Sequence, residues 1–322
     1  MLKEVSVEII RKCPNHCLHC SSFSDSTRLE KMSIDKFKEL VDDAKALGAM
    51  TICLSGGEPF LHESIIEMTK YVHNIGLNTY IYTSGIVFDD NGTHSHIPDS
   101  TLKSISKYSV KIIFNVEAGT EKTYDKIMGT KNCYPQMQLS IINAKKYNIP
   151  VEAHFVPMKL NINEIDDVVS LCQSIGISKL SFLRLVLHGR AKQNEEKLKL
   201  TEKEYLYLKK KLQIIKNNSE ISIRIGVPLN DDNICTNCEA AQGKLNIKYD
   251  GYVYPCEVFK NFDFKTTLKD LKPASIYENR LLQIYHDSEY LKSVRKLSEH
   301  CETKNHESCL GQYLMELENK GV

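Results

Sequence analysis

Three cysteines, Cys13, Cys17 and Cys20, fall within the eight residues Cys-Pro-Asn-His-Cys-Leu-His-Cys. Thiolates are soft ligands, and the C-x3-C-x2-C spacing sets three of them on one loop. Three is one fewer than a closed tetrahedral zinc site takes. It suits a cubane iron–sulfur cluster, in which each corner iron takes one thiolate and one iron stays open for chemistry. A second candidate segment, Ser55-Gly56-Gly57-Glu58-Pro59-Phe60, follows downstream. Glycines there let backbone approach a ligand closely, and Glu58 adds a carboxylate.

The elements that must position these residues alternate in type. Val5, Val7 and Ile9 begin a strand that runs into the cysteine loop. Ser33 caps an expected helix with Ile34, Phe37, Leu40, Val41, Ala44 and Leu47 on one face and Gly48 at its end. Thr51 to Leu54 reads as a buried strand, placing Gly56 to Pro59 just past its end. Further strands are expected at 78–83, 109–116, 150–157 and 179–186, with helices between them. Six strands alternating with helices predict a parallel α/β sheet. Thr201 and Glu204 form a capping box for a helix over 202–216. Past residue 228 the character changes: Lys244 to Cys256 reads as a β-hairpin turning at Asp250-Gly251, then a helical stretch at 276–299.

The two motifs together resemble the signature of the radical S-adenosylmethionine (SAM) superfamily. The resemblance implies that Cys13, Cys17 and Cys20 hold a 4Fe-4S cluster whose open iron is chelated by SAM. Reductive cleavage of SAM would then release a 5′-deoxyadenosyl radical that takes a hydrogen atom from a substrate. It implies that Gly56, Gly57, Glu58 and Pro59 meet the SAM amino group, and that His19 lies near the adenine. Ser84, in Tyr82-Thr83-Ser84-Gly85, would touch SAM, and Asn115 and Glu117 would bind the ribose hydroxyls. Arg184 would pair with the SAM carboxylate through two parallel hydrogen bonds. The implied fold is a partial (β/α)6 TIM-like barrel with its site at the C-terminal ends of the strands.

Eleven cysteines are many for a chain kept in a reducing compartment. Cys235, Cys238, Cys256, Cys301 and Cys309 gather in the last third, and zinc would accept any four of them. With Gly251 preceding Cys256 in a G-x4-C stretch, they also resemble the SPASM and twitch appendages of radical SAM enzymes. Five cysteines suffice for one auxiliary 4Fe-4S cluster. The expected organisation is a core over 1–228 and a cysteine-rich, SPASM/twitch-like domain over 229–322. Cys53 and Cys172 read as small core residues, and Cys133 as a thiol in an exposed loop.

Composition narrows the function. The formal net charge is +1 and no basic stripe is present, which argues against nucleic acid. No apolar run approaches the length of a membrane span, and the first residues lack a signal-peptide core, so a cytoplasmic enzyme is expected. The resemblance implies a one-electron reductant such as flavodoxin or ferredoxin as a partner. It favours oxidative modification of a peptide or protein. Dehydrogenation or epimerisation of a small molecule such as a sugar alcohol is the alternative enzymatic reading, and a non-catalytic iron–sulfur or zinc protein is the alternative of another class.

Overall fold

The computed structural model describes residues 1–227, 229, 238–261, 264, 265, 268, 269, 271–301 and 309–320, without the side chains of 300, 301, 319 and 320. Cys235 and the side chain of Cys301 lie outside the described residues.

The strands in chain order are β1 (Glu4–Ile10), β2 (Thr51–Gly56), β3 (Asn78–Thr83), β4 (Ile86–Phe88), β5 (His94–His96), β6 (Val110–Asn115), β7 (Val151–Phe155), β8 (Lys179–Phe182), β9 (Ser222–Ile225), β10 (Lys244–Ile247) and β11 (Val253–Tyr254). Nine of them form one sheet in the order β11-β10-β1-β2-β3-β6-β7-β8-β9. Every pairing is parallel except β10 with β11. The six expected strands are the middle of this sheet, an open, partial barrel. β9 extends one edge. The expected hairpin is β10–β11, and it extends the other edge by pairing in parallel with β1.

Strand periodicity divides the sheet into two unlike faces. Val5, Val7, Ile9, Ile52, Leu54, Ile81, Ile112, Phe114, Ala153, Phe155, Leu180 and Phe182 point to one side and are buried in the main core. A fully buried side chain of this size contributes about 1.5–3 kcal/mol. Helices cover that side: Ile34–Ala46, for example, buries Phe37, Leu40, Val41 and Ala44, and the Ser33 side chain caps it by accepting from Lys36 N. The alternate residues face the interior. In register they include Ser6 opposite Asn246 and Cys53, Cys53 opposite Tyr80, Tyr82 opposite Ile113, Asn115 opposite His154, and Ser181 opposite Arg224. A closed TIM barrel fills its interior with bulky apolar residues. Here the inner row is mostly polar, which suits a lined space and not a packed core.

The Thr201–Glu204 capping box forms as expected, on the helix Glu202–Asn218. The stretch expected to be helical over 276–299 is two helices, Leu281–Asp287 and Glu289–Cys301, because Ser288 is extended. Asp89 to His96 is a hairpin turn: the Asp89 carboxylate accepts from the backbones of Asn91 and Thr93, and β4 pairs with β5. Cys53 and Cys172 are buried, in line with their reading as core residues, although Cys53 faces the interior. Cys133 corrects its expectation. It is fully buried at the start of the helix Tyr134–Lys146, against Thr130, because the Asp125 carboxylate accepts from the backbones of Asn132 and Cys133 and folds that loop inward.

Candidate active site

The cysteine loop leaves β1 and is held by its backbone on three sides. Cys13 N donates to Asp25 O at 3.0 Å. His16 N and Leu18 N donate to Met128 O and Ile127 O at 3.0 and 2.9 Å, at the end of the helix Glu121–Met128. On the third side, Arg190 is buried; its Nε donates to Cys17 O at 2.8 Å and its Nη2 to Ser24 O at 2.7 Å. Its own N donates to Cys20 O at 2.9 Å. Gly189, at φ +55°, is required here: a Cβ would lie 2.6 Å from the Cys20 carbonyl oxygen. The carbonyls of Cys17 and Cys20 are thus occupied by protein, while the three thiols of the loop form no disulfide.

The thiols influence one another. Burial pushes the Cys13 thiol well above its ordinary range, and Cys17 and Glu58 add to the rise. Burial also pushes Cys17 up, with Cys20 adding and Arg190 opposing. Such thiols give up their protons to a metal. Among the described residues no three His, Cys, Asp or Glu side chains converge on one metal-ion position. A cubane takes one thiolate per iron, so three neighbouring thiols on one loop fit it.

The Gly-Gly-Glu-Pro segment is locked to this loop. Gly57 N donates to Ile10 O at 2.6 Å and Glu58 N to Lys12 O at 2.8 Å. A Cβ on Gly56 would collide with the Ile10 carbonyl, and one on Gly57 with those of Arg11 and Lys12. The glycines are therefore required by the chain leading into the cysteines, a close approach of protein to protein. Glu58 is fully buried, and its carboxylate accepts from Thr83 Oγ1 at 2.6 Å, Ser84 Oγ at 2.7 Å, Ser84 N at 3.0 Å and Phe60 N at 3.2 Å. Burial nevertheless raises it to about 7. Glu58 and Ser84 spend their side chains on each other, joining the ends of β2 and β3, and Pro59 begins the short 3-10 turn that Glu58 caps.

His19 and Glu117 come together, with His19 Nε2 3.3 Å from Glu117 Oε1. Glu117 Oε2 accepts from Val156 N at 3.1 Å. Buried Asn161, which the sequence reading passed over, donates to both Glu117 O and Val156 O. His19 Nδ1 is buried without a hydrogen-bond partner in the protein. Asn115, at the end of β6, makes no side-chain hydrogen bond among the described residues. The unpartnered Nδ1 of His19, within the cysteine loop, fits a polar ligand such as an adenosyl group.

Arg184 has protein partners of its own. Its Nη2 donates to Cys309 Sγ at 2.7 Å and its Nη1 to Gln312 Oε1 at 2.6 Å. The guanidinium is committed to a C-terminal cysteine because the chain beyond β8 leads it toward the helix Leu310–Lys320. It is Arg190, six residues on, that reaches the first cysteine loop. Cys238 and Cys309 are charge neighbours of Cys256, whose thiol is raised first by burial. Three of the five C-terminal cysteines thus share one region.

The segment after Cys256 docks on the first loop. Lys260 Nζ donates to Glu8 Oε1 at 2.7 Å and to Ser22 Oγ at 3.0 Å, Asn261 Nδ2 to Ser21 O at 3.0 Å, and His188 Nε2 lies 2.9 Å from Val258 O. Charge periodicity could not have singled out Lys260 among so many surface lysines.

Known proteins match this arrangement. The model of the radical SAM superfamily matches residues 7–172, and that of the SPASM iron–sulfur cluster-binding domain matches residues 235–311. PqqA peptide cyclase of Rhizobium meliloti is 24% identical over 92% of this chain and 78% of its own length. Fe-coproporphyrin III synthase of Methanosarcina barkeri is 27% identical over 60% of this chain and 46% of its own. The structure of Streptococcus suis SuiB bound to precursor peptide SuiA superposes with a TM-score of 0.70 at 16% identity, over 92% of this chain and 67% of that one.

Proposed function

Because this chain is an enzyme of the radical SAM superfamily with a C-terminal SPASM domain, we propose that it oxidatively modifies a peptide or protein. Membership implies a 4Fe-4S cluster with SAM and an auxiliary iron–sulfur centre. When bound, the first cluster and SAM supply a 5′-deoxyadenosyl radical that removes a hydrogen atom from the substrate. Cys13, Cys17 and Cys20 would hold that cluster. Cys238, Cys256 and Cys309, joined by Cys235 or Cys301, would hold the auxiliary one. His19, Asn115 and Glu117 would orient the adenosyl group. Glu58 and Ser84 keep the ends of β2 and β3 in place beside it. The domains divide near residue 229.

The observation that carries the oxidative reading is the single loop after β8. It puts Arg184 on Cys309 and Arg190 on the first cysteine loop, so one stretch of chain touches both cysteine groups. An auxiliary centre at that place suits a substrate that must lose an electron after losing a hydrogen atom. The peptide substrate is supported by the near full-length similarity to PqqA peptide cyclase and the fold shared with SuiB. A one-electron donor such as flavodoxin or ferredoxin would serve it. The similarity to Fe-coproporphyrin III synthase favours a second reading, action on a small molecule, over a shorter part of the chain.

The test is 5′-deoxyadenosine formation by the anaerobically reconstituted protein with SAM and a strong reductant, beside a Cys13/Cys17/Cys20→Ala variant. Candidate peptides are then screened by mass for loss of two hydrogens. Formation of 5′-deoxyadenosine by the wild type alone supports the chemistry. Its absence from a fully iron-loaded protein overturns it, and turnover of small molecules but no peptide overturns the substrate class.

A further inference from the structure

We propose that Arg184 is a positioning residue of the auxiliary iron–sulfur site: it fixes Cys309 and makes the centre bound there easier to reduce. The inference rests on reading Cys309 as one of that centre's ligands.

Arg184 is half-buried two residues past β8, where Leu183 N still donates to Phe155 O at 2.9 Å and so extends the sheet. Its base is therefore tied to the sheet through Leu183. Its planar fork splits between two acceptors, Gln312 Oε1 and Cys309 Sγ. Gln312 is oriented in turn, since its Nε2 donates to Glu316 Oε1 at 3.0 Å. A chain of hydrogen bonds thus runs Glu316–Gln312–Arg184–Cys309 and aims one guanidinium nitrogen at the sulfur. Cys309 also immediately precedes the eleven-residue helix Leu310–Lys320, and its carbonyl accepts from Tyr313 N at 3.0 Å. The positive end of the helix adds to the field of the arginine.

Both features favour negative charge on the sulfur. Reduction adds an electron to a cluster, and hydrogen bonds to its sulfurs together with nearby cations stabilise the reduced form. The guanidinium supplies the charge and the directed donor at once, whereas lysine supplies a mobile point charge. Arg190, on the same loop, grips backbone carbonyls and no sulfur. The device therefore distinguishes the two centres.

The experiment is an EPR-monitored redox titration of the full-length reconstituted protein. The Cys13/Cys17/Cys20→Ala background isolates the auxiliary signal. Arg184→Gln is expected to shift the auxiliary midpoint negative in that background and, with the three cysteines intact, to leave the N-terminal midpoint in place, with Arg184→Lys restoring part of the auxiliary shift. An unmoved auxiliary midpoint in Arg184→Gln overturns the inference. So does weakened SAM binding in that variant with no auxiliary shift, which would return Arg184 to the SAM carboxylate. Should Arg184→Gln fail to load the auxiliary centre, Gln312→Ala decides, since it releases the guanidinium but keeps its charge: a negative shift supports the inference and an unchanged midpoint overturns it. Cys309→Ala separates the underlying reading. An auxiliary signal unaltered by that change would show that Cys309 is no ligand, whatever the arginine variants do.

Discussion

Lys260 and Glu8 form a buried ion pair between positions 252 residues apart, Nζ to Oε1 at 2.7 Å. Glu8 is an inward residue of β1, 1% exposed, and Lys260 follows the cysteine-bearing hairpin. Burial pushes the Glu8 carboxyl up, but Lys260 and Ser22 outweigh it and hold the group below the usual range. Removing one partner strands the other charge, at about 3–5 kcal/mol. Lys260→Met is expected to lose that much in urea unfolding, and adding Glu8→Gln to recover most of it. A double variant whose loss equals the sum of the two single losses would show that the two residues are not coupled.

Arg190→Lys removes a fork that spans Cys17 O and Ser24 O. A lysine reaches one of these carbonyls, so one hydrogen bond from a charged donor is lost, about 2 kcal/mol. The expected outcome is reduced iron uptake at the N-terminal loop with the auxiliary signal retained, read by EPR. Equal loss of both signals would contradict a role confined to that loop.

Gly57→Ala drives a methyl into the carbonyls of Arg11 and Lys12, both backbone. The expected loss is about 3 kcal/mol or more, together with poor iron loading. Gly76, at φ +82° with open space around it, is the control. Gly76→Ala costs only the left-handed penalty of about 1–2 kcal/mol and leaves iron loading intact. Thermal melts and iron analysis of both variants check the contrast.

His154 faces the interior, its ring 5.4 Å from that of Tyr82. Burial, and secondly Arg224, lowers it to about 4. The unfolded chain therefore takes up a proton near pH 6.5 that the folded chain refuses until about pH 4. Stability present above pH 6.5 is lost as pH falls through that window. His154→Phe is expected to flatten this part of the stability–pH curve. A curve of unchanged slope would show that His154 does not titrate as described.

Much of the architecture was legible because it is local. The alternation at Val5, Val7 and Ile9, the cap at Ser33 and the box at Thr201 and Glu204 each declare an element within a few residues. The cysteine spacing and Gly56 to Pro59 marked the site for the same reason. What escaped depends on distance through the fold. No pattern separates Arg184 from Arg190, six residues apart on one loop, until the C-terminal helix arrives to claim the first. Gly56 and Gly57 read as an approach to a ligand, since nothing near them in sequence shows that Ile10 to Lys12 lies against them. Cys133 looked exposed because its loop is polar, and only Asp125 and Asn15 fold it inward.

The pairing of β10 with β1 also sets an order of events during synthesis. β1 leaves the ribosome well before its outer neighbour, whose Ile247 aligns with Val7 after 240 further residues. At roughly 5–20 residues per second, an apolar strand waits tens of seconds with one row of backbone groups unpaired. Such an edge invites pairing with another chain. A polypeptide halted after residue 229 would keep that edge permanently, so the C-terminal hairpin doubles as a cover for the nascent sheet.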